Sequence, residues 1–108
     1  MLLPKFEINI TAYENVGMVN NLICQFLEID LDYFIRVWDN SKEPLKIEGA
    51  SEVRHNRFNP SLSRVWNWAI GQSRTEWVFI SNDDIDLNKK WHSDLLKDIK
   101  GYPGALWY

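Results

Sequence analysis

A run of four apolar residues, Trp77 to Ile80, stops abruptly at Ser81 and Asn82 and is followed at once by Asp83, Asp84 and Asp86. A short unbroken apolar stretch closed by turn formers is expected of a central strand buried on both faces, the habit of a parallel sheet. Such a strand demands helices on both sides of the sheet. It also fixes where the acids lie, at the edge where the strand leaves the sheet.

The remaining sequence supplies the other elements. Phe6 to Thr11 alternates apolar and polar residues, with Phe6, Ile8 and Ile10 in step, and predicts a first strand. Asn15 then caps a helix in which Val19, Leu22, Ile23, Phe26 and Leu27 form one apolar face, with Cys24 beside it as a packing residue. Tyr33 to Trp38 predicts a second strand, apolar almost throughout and halted by Asp39, Asn40 and Ser41. Residues 42–50 form a polar connection containing Pro44 and Gly49, and a short third strand is expected over 52–55. Ser61 caps a helix from Leu62 to about Gln72. After the Trp77 strand, Asn88 caps a helix bearing Trp91, Leu95, Leu96 and Ile99, which Pro103 and Gly104 break; Ala105 to Tyr108 reads as one more strand.

Strands alternating with helices predict an α/β fold, a mostly parallel open sheet flanked by helices. The length, 108 residues, suits one domain spanning 1–108 and is too short for two. Composition narrows the function classes. With 45% hydrophobic and 25% charged residues the chain is expected to be soluble and globular. Its net charge is −3 and its 12 basic residues are scattered, which argues against a nucleic-acid partner. A single cysteine excludes an internal disulfide or a cysteine-built metal site and fits a reducing compartment. The apolar run at Leu2 and Leu3 is too short for a leader or a membrane span, so a cytoplasmic location is expected. The six tryptophans are expected chiefly as core filling, with sugar stacking as the sharper alternative.

Right-handed crossovers place every strand-to-helix turn at one edge of a parallel sheet, and ligands bind outside the carboxyl ends of the strands. Those ends are Thr11 to Tyr13, Asp39 to Ser41, His55 with Asn56, and Asn82 to Asp86. Carboxylates crowded together repel one another unless a cation sits among them. Oxygen donors without cysteine favour Mg²⁺ or Mn²⁺, an ion that commonly bridges to phosphates. The plainer alternative is that the acids only favour the positive end of the next helix. Asp84, Asp86 and Asn88 have the spacing of an EF-hand opening, but Lys89 and Leu95 stand where that loop needs Gly and Glu. A haloacid dehalogenase-like phosphatase would want its Asp-x-Asp against the strand, where Ser81 and Asn82 intervene. A receiver domain would want acids after the first strand, where Thr11, Ala12 and Tyr13 stand.

Taken in order, these segments resemble the family 2 glycosyltransferases of the GT-A fold. The family opens with a strand and a Pro-Thr-Tyr-Asn-like turn, and here Thr11, Ala12, Tyr13, Glu14 and Asn15 follow the first strand. Its second strand ends near Val-Asp-Asn-x-Ser; this chain has Val37, Trp38, Asp39, Asn40 and Ser41. An Asn, a small-residue loop and a helix with a second Asn look like Asn56 through Asn67. A strand ending Asn-x-Asp or Asp-x-Asp before a helix that starts near a Trp is similar to Asn82, Asp83, Asp84, Ile85 and Trp91.

The resemblance implies a nucleotide-sugar-binding half of a Rossmann-like GT-A domain. Asp39 would lie against the nucleobase, with Tyr13 and Thr11 in the same pocket. Asp84 would hold the divalent metal, Mn²⁺ or Mg²⁺, that clamps the diphosphate, with Asn82 or Asp83 toward the ribose and Arg64 facing the diphosphate. Family members continue into an acceptor-binding half that carries an acidic catalytic base, a role no residue of 1–108 takes. The expected partners are thus a nucleotide-diphosphate sugar and a glycan or protein acceptor. A homo-oligomer is expected as well, because an open sheet edge rich in Trp and Tyr self-associates. The alternatives are a non-catalytic nucleotide-binding remnant and, below it, a phosphatase-like hydrolase with Asp84 as nucleophile.

Overall fold

The computed structural model describes residues 6–28, 33–75, 77–87 and 90–101. The elements run β1 (Phe6–Ala12), α1 (Val16–Leu27), β2 (Phe34–Asp39), β3 (Glu52–His55), α2 (Leu62–Gln72), β4 (Trp77–Asn82) and α3 (Trp91–Gly101). The four strands form one sheet in the order β3-β2-β1-β4, every pair parallel. This is the expected α/β architecture. The strand expected over 105–108, the break at Pro103 and Gly104, and the cap at Asn88 lie outside the described residues.

The period of two along each strand splits the side chains between two faces. On one face Ile8, Ile10 and Ala12 of β1 and Ile35 and Val37 of β2 meet Val19, Leu22, Ile23 and Phe26 of α1 and Trp91 and Leu95 of α3. Phe26 sets its ring edge-on to both Phe79 and Trp91, with centroids 5.3 and 5.1 Å apart. Burying these large apolar side chains stabilises the fold by roughly 1.5–3 kcal/mol each. Asn15 does cap α1, its Oδ1 accepting from the Met18 amide at 3.1 Å, and Ser61 caps α2 through the Arg64 amide at 3.3 Å. Cys24 is exposed rather than packed, because it points away from the stripe that α1 lays on the sheet. Near the start of β2, Tyr33 Oη lies 2.9 Å from His92 Nε2, and burial pushes the imidazole pKa down.

The other face is of a different kind. Val65 and Ala69 of α2 pack on Trp38, but beside them Glu7, Asn9 and Arg36 are buried. The Arg36 guanidinium donates to Glu7 Oε1 at 3.0 Å, Asn9 Oδ1 at 3.3 Å and Glu52 Oε2 at 3.2 Å. The Trp38 indole donates to the same Asn9 oxygen at 3.0 Å. Arg54 also bonds Glu52, and these bonds, the Arg54 one foremost, hold the Glu52 carboxyl below its ordinary pKa. The polar half of the β1 alternation therefore faces a closed ionic network, not water.

Two further details position the edge of the sheet. β4 is an outer strand among the described ones, and Trp77 to Ile80 are half-buried, so the run is not the fully enclosed central strand its composition predicts. The β2–β3 crossover contains no helix. Residues 42–50 instead lie over α1, with Leu45, Ile47 and Ala50 against the core. Asn20 fastens this strap, accepting from the Glu48 amide at 3.1 Å and donating to the Lys46 carbonyl at 3.3 Å. Gly49 has φ +87°, the left-handed region that favours glycine, and a Cβ there would sit 3.0 Å from Ile23 Cγ2 and crowd it.

Candidate functional site

The chain steps from β1 outward to β2 and β3, then returns past β1 to place β4 on its other side. The strand order thus reverses between β1 and β4, and the carboxyl ends of two such strands leave a crevice that no crossover fills. Here a cleft of about 450 Å³ opens, lined by Thr11, Ala12 and Tyr13 at the end of β1 and by Asn82, Asp83 and Asp84 at the end of β4. Asn40, the loop before α2 and the first turn of α2 at Ser61 and Leu62 complete its wall.

Pairing of β1 with β4 puts Thr11 opposite Asn82. The Thr11 hydroxyl donates to Asn82 Oδ1 at 2.8 Å, which orients the Asn82 amide. The Tyr13 amide donates to Asp83 Oδ2 at 3.3 Å. Asp83 is half-buried, and burial pushes its carboxyl pKa up; the Tyr13 amide opposes this, and the neighbouring Asp84 charge adds to it. Asp84 is exposed, and no hydrogen bond or ion pair joins its carboxylate to another described residue. Tyr13 projects its ring, 55% exposed, from the lip of the cleft.

That lip has an unusual backbone. Glu14 has φ +56°, a left-handed conformation that a residue with a Cβ adopts only when its surroundings enforce it. Its amide donates to Ser41 Oγ at 2.7 Å, and its Oε1 accepts from the Lys42 amide at 2.6 Å. Glu14 thereby ties the β1 turn to the β2 turn. Its sequence setting, between Tyr13 and the capping Asn15, carries no signal of this role.

Asp39 is brought to the same edge but is fully buried beneath it. Its Oδ1 accepts from the Ser41 amide at 3.0 Å and its Oδ2 from the Leu45 amide at 2.7 Å. The side chain that reaches the cleft wall from this turn is Asn40, whose Oδ1 accepts from Asn56 Nδ2 at 2.8 Å. His55 is structural, its Nε2 2.8 Å from the Ser41 carbonyl. Arg64 is exposed in the first turn of α2 and lines a neighbouring depression rather than the cleft. Asp86 is removed from the acidic pair, since Gln25 of α1 donates to its Oδ1 at 3.2 Å and accepts from the Leu87 amide at 2.6 Å.

Among the described residues no three His, Cys, Asp or Glu side chains converge to hold a metal. The donors at the cleft are oxygens from Asn82, Asp83 and Asp84. Mg²⁺ is typically held by one or two carboxylates while substrate phosphates and water fill the remaining positions, so this donor set suits such a shared ion better than a closed cage. No helix among the described residues is long and apolar enough to cross a membrane. No family model matches the chain, and no curated protein or solved structure matches it either.

Proposed function

We propose that this chain binds a nucleotide-diphosphate sugar as the donor-binding portion of a glycosyltransferase. The observation that carries the reading is the placement of Asn82, Asp83 and Asp84 opposite Thr11 and Tyr13 at the point where the strand order reverses. In this reading the Tyr13 ring stacks on the nucleobase, and Asn82 and Asp83 accept from the ribose hydroxyls. Asp84 holds Mn²⁺ or Mg²⁺ together with the diphosphate. Such an ion offsets the diphosphate charge and stabilises the departing nucleotide. Asp39 acts indirectly, by fixing the turn that presents Asn40 to the cleft. Free Cys24 suits a reducing cytoplasm. No residue of 1–108 is assigned the catalytic base in this reading.

Equilibrium titration of UDP and GDP with and without Mn²⁺, followed by a donor-hydrolysis assay, tests the proposal. Metal-dependent binding is expected, weakened about tenfold or more in Asp84→Asn. Binding that ignores the metal, or an Asp84→Asn protein that behaves like the parent, removes the reading. Metal-dependent binding without hydrolysis favours a non-catalytic nucleotide-binding module.

A further inference from the structure

Beside the cleft, and sharing the Asn59–Ser61 segment with it, lies a second depression of about 600 Å³. Its charged groups are of one sign. Arg57 and Arg64 line it with His55, and no Asp or Glu does. Neither Arg57 nor Arg64 pairs with an acidic side chain among the described residues, so both carry uncompensated charge in a chain of net charge −3. Both are exposed and neither side chain holds the fold together. Two arginines lining one hollow offer guanidinium donors suited to a phosphate or a carboxylate.

The same depression offers ring faces. Phe58 is 83% exposed, the most exposed of the described large hydrophobic side chains, on the loop between β3 and α2. Trp68 follows Arg64 by one helical turn, so the two share a face of α2. One side of the Trp68 ring rests on Trp38, with centroids 6.0 Å apart, which leaves a firm platform that is still 39% exposed. Exposed aromatic rings beside unpaired arginines suit a ligand with both a hydrophobic ring face and an anionic group. The volume falls in the range of small-ligand sites, about 300–1,000 Å³.

We infer that this depression binds an anionic sugar, its charged group between Arg57 and Arg64 and its ring on Phe58 or Trp68. Its role as the acceptor end of a transfer reaction rests on the sugar-transfer reading above, whereas the binding itself does not need the acidic cleft. A nucleic-acid strand fits less well, since Asp83 and Asp84 next door repel a polyphosphate.

Titration of the isotope-labelled full chain, followed by NMR, tests the inference with glucose 6-phosphate, glucuronate, glucose and inorganic phosphate as probes. One or both of the anionic sugars is expected to shift signals of Arg57, Phe58, Arg64 and Trp68, and which one binds tighter identifies the anion. Glucose and phosphate alone are each expected to bind at least about fivefold more weakly, because ring and charge contribute separately. The Arg57→Ala/Arg64→Ala variant should lose about tenfold in affinity and Phe58→Ala about fivefold. The inference is overturned if phosphate alone binds as well as the sugar phosphate, if the arginine variant binds normally, or if a short oligonucleotide takes the depression in preference. Anionic-sugar binding that persists while nucleotides fail to bind removes the donor-site reading and leaves this one standing.

Discussion

The contrast between Asp83 and Asp84 is the clearest chemical statement at the scale of single residues. Adjacent in sequence, they differ in setting: one is half-buried with a backbone donor, the other is exposed and unengaged. Burial raises the Asp83 pKa, so the folded state favours its protonated form. The stability this gives is complete below the ordinary carboxyl value of 3.8 and is lost as the pH rises through the raised native value. Asp83→Asn is therefore expected to melt at a higher temperature than the parent at pH 7, with the difference shrinking toward pH 3.8. Equal melting curves across that range would show that the raised pKa is relieved in solution. A bound cation acts in the opposite direction, since it favours the ionised carboxylate.

At the scale of elements, the sheet is held by unlike forces on its two faces. One is an apolar layer; the other is organised around Arg36. Removing one partner of a buried ion pair leaves the other charge without compensation, whereas replacing both by apolar side chains is often neutral. Arg36→Met is expected to cost about 3 kcal/mol or more in urea denaturation, because Glu7 remains buried with only Asn9 beside it. Adding Glu7→Leu should restore most of the loss. A single variant as stable as the parent would mean that the network opens to water.

The same elements mark how much could be read in advance. Strands expected over 6–11, 33–38 and 77–80, found as β1, β2 and β4 to within two residues at each end, and both capped helices follow from local patterning and cap chemistry, because those interactions span only a few residues. The network was illegible, since an alternating strand with polar Glu7 and Asn9 reads as half-exposed until a helix is known to cover it. The burial of Asp39 was equally hidden: an acid closing a strand looks the same whether it faces a ligand or caps its own turn. β4 misled by composition, as an apolar run reports burial on both faces but not which strands lie beside it.

At the scale of the whole molecule, β4 is the outer strand among the described residues and, apolar as it is, offers a template for pairing. Next to it, Leu62, Trp66 and Ile70 form an exposed stripe along α2 at four-residue spacing. Two copies joined through this side would lengthen the sheet and cover the stripe together. Light scattering is expected to show a dimer at high concentration, reduced by Ile70→Lys; a monomer throughout would contradict it.

The helix-free crossover has a kinetic meaning as well as a geometric one. A helix carries its own ladder of hydrogen bonds, but the strap over 42–50 borrows its shape from the side chains of Glu14, Asp39 and Asn20, and Asn20 alone reaches it from α1. Opening of strand β3 is therefore expected to depend on α1 as well as on its pairing with β2. In Asn20→Ala, the amides of β3 should exchange with solvent about fivefold faster while those of β1 keep their protection, as expected when one hydrogen-bonded clamp is lost. Unchanged exchange would mean that pairing with β2 alone holds the outermost strand in place.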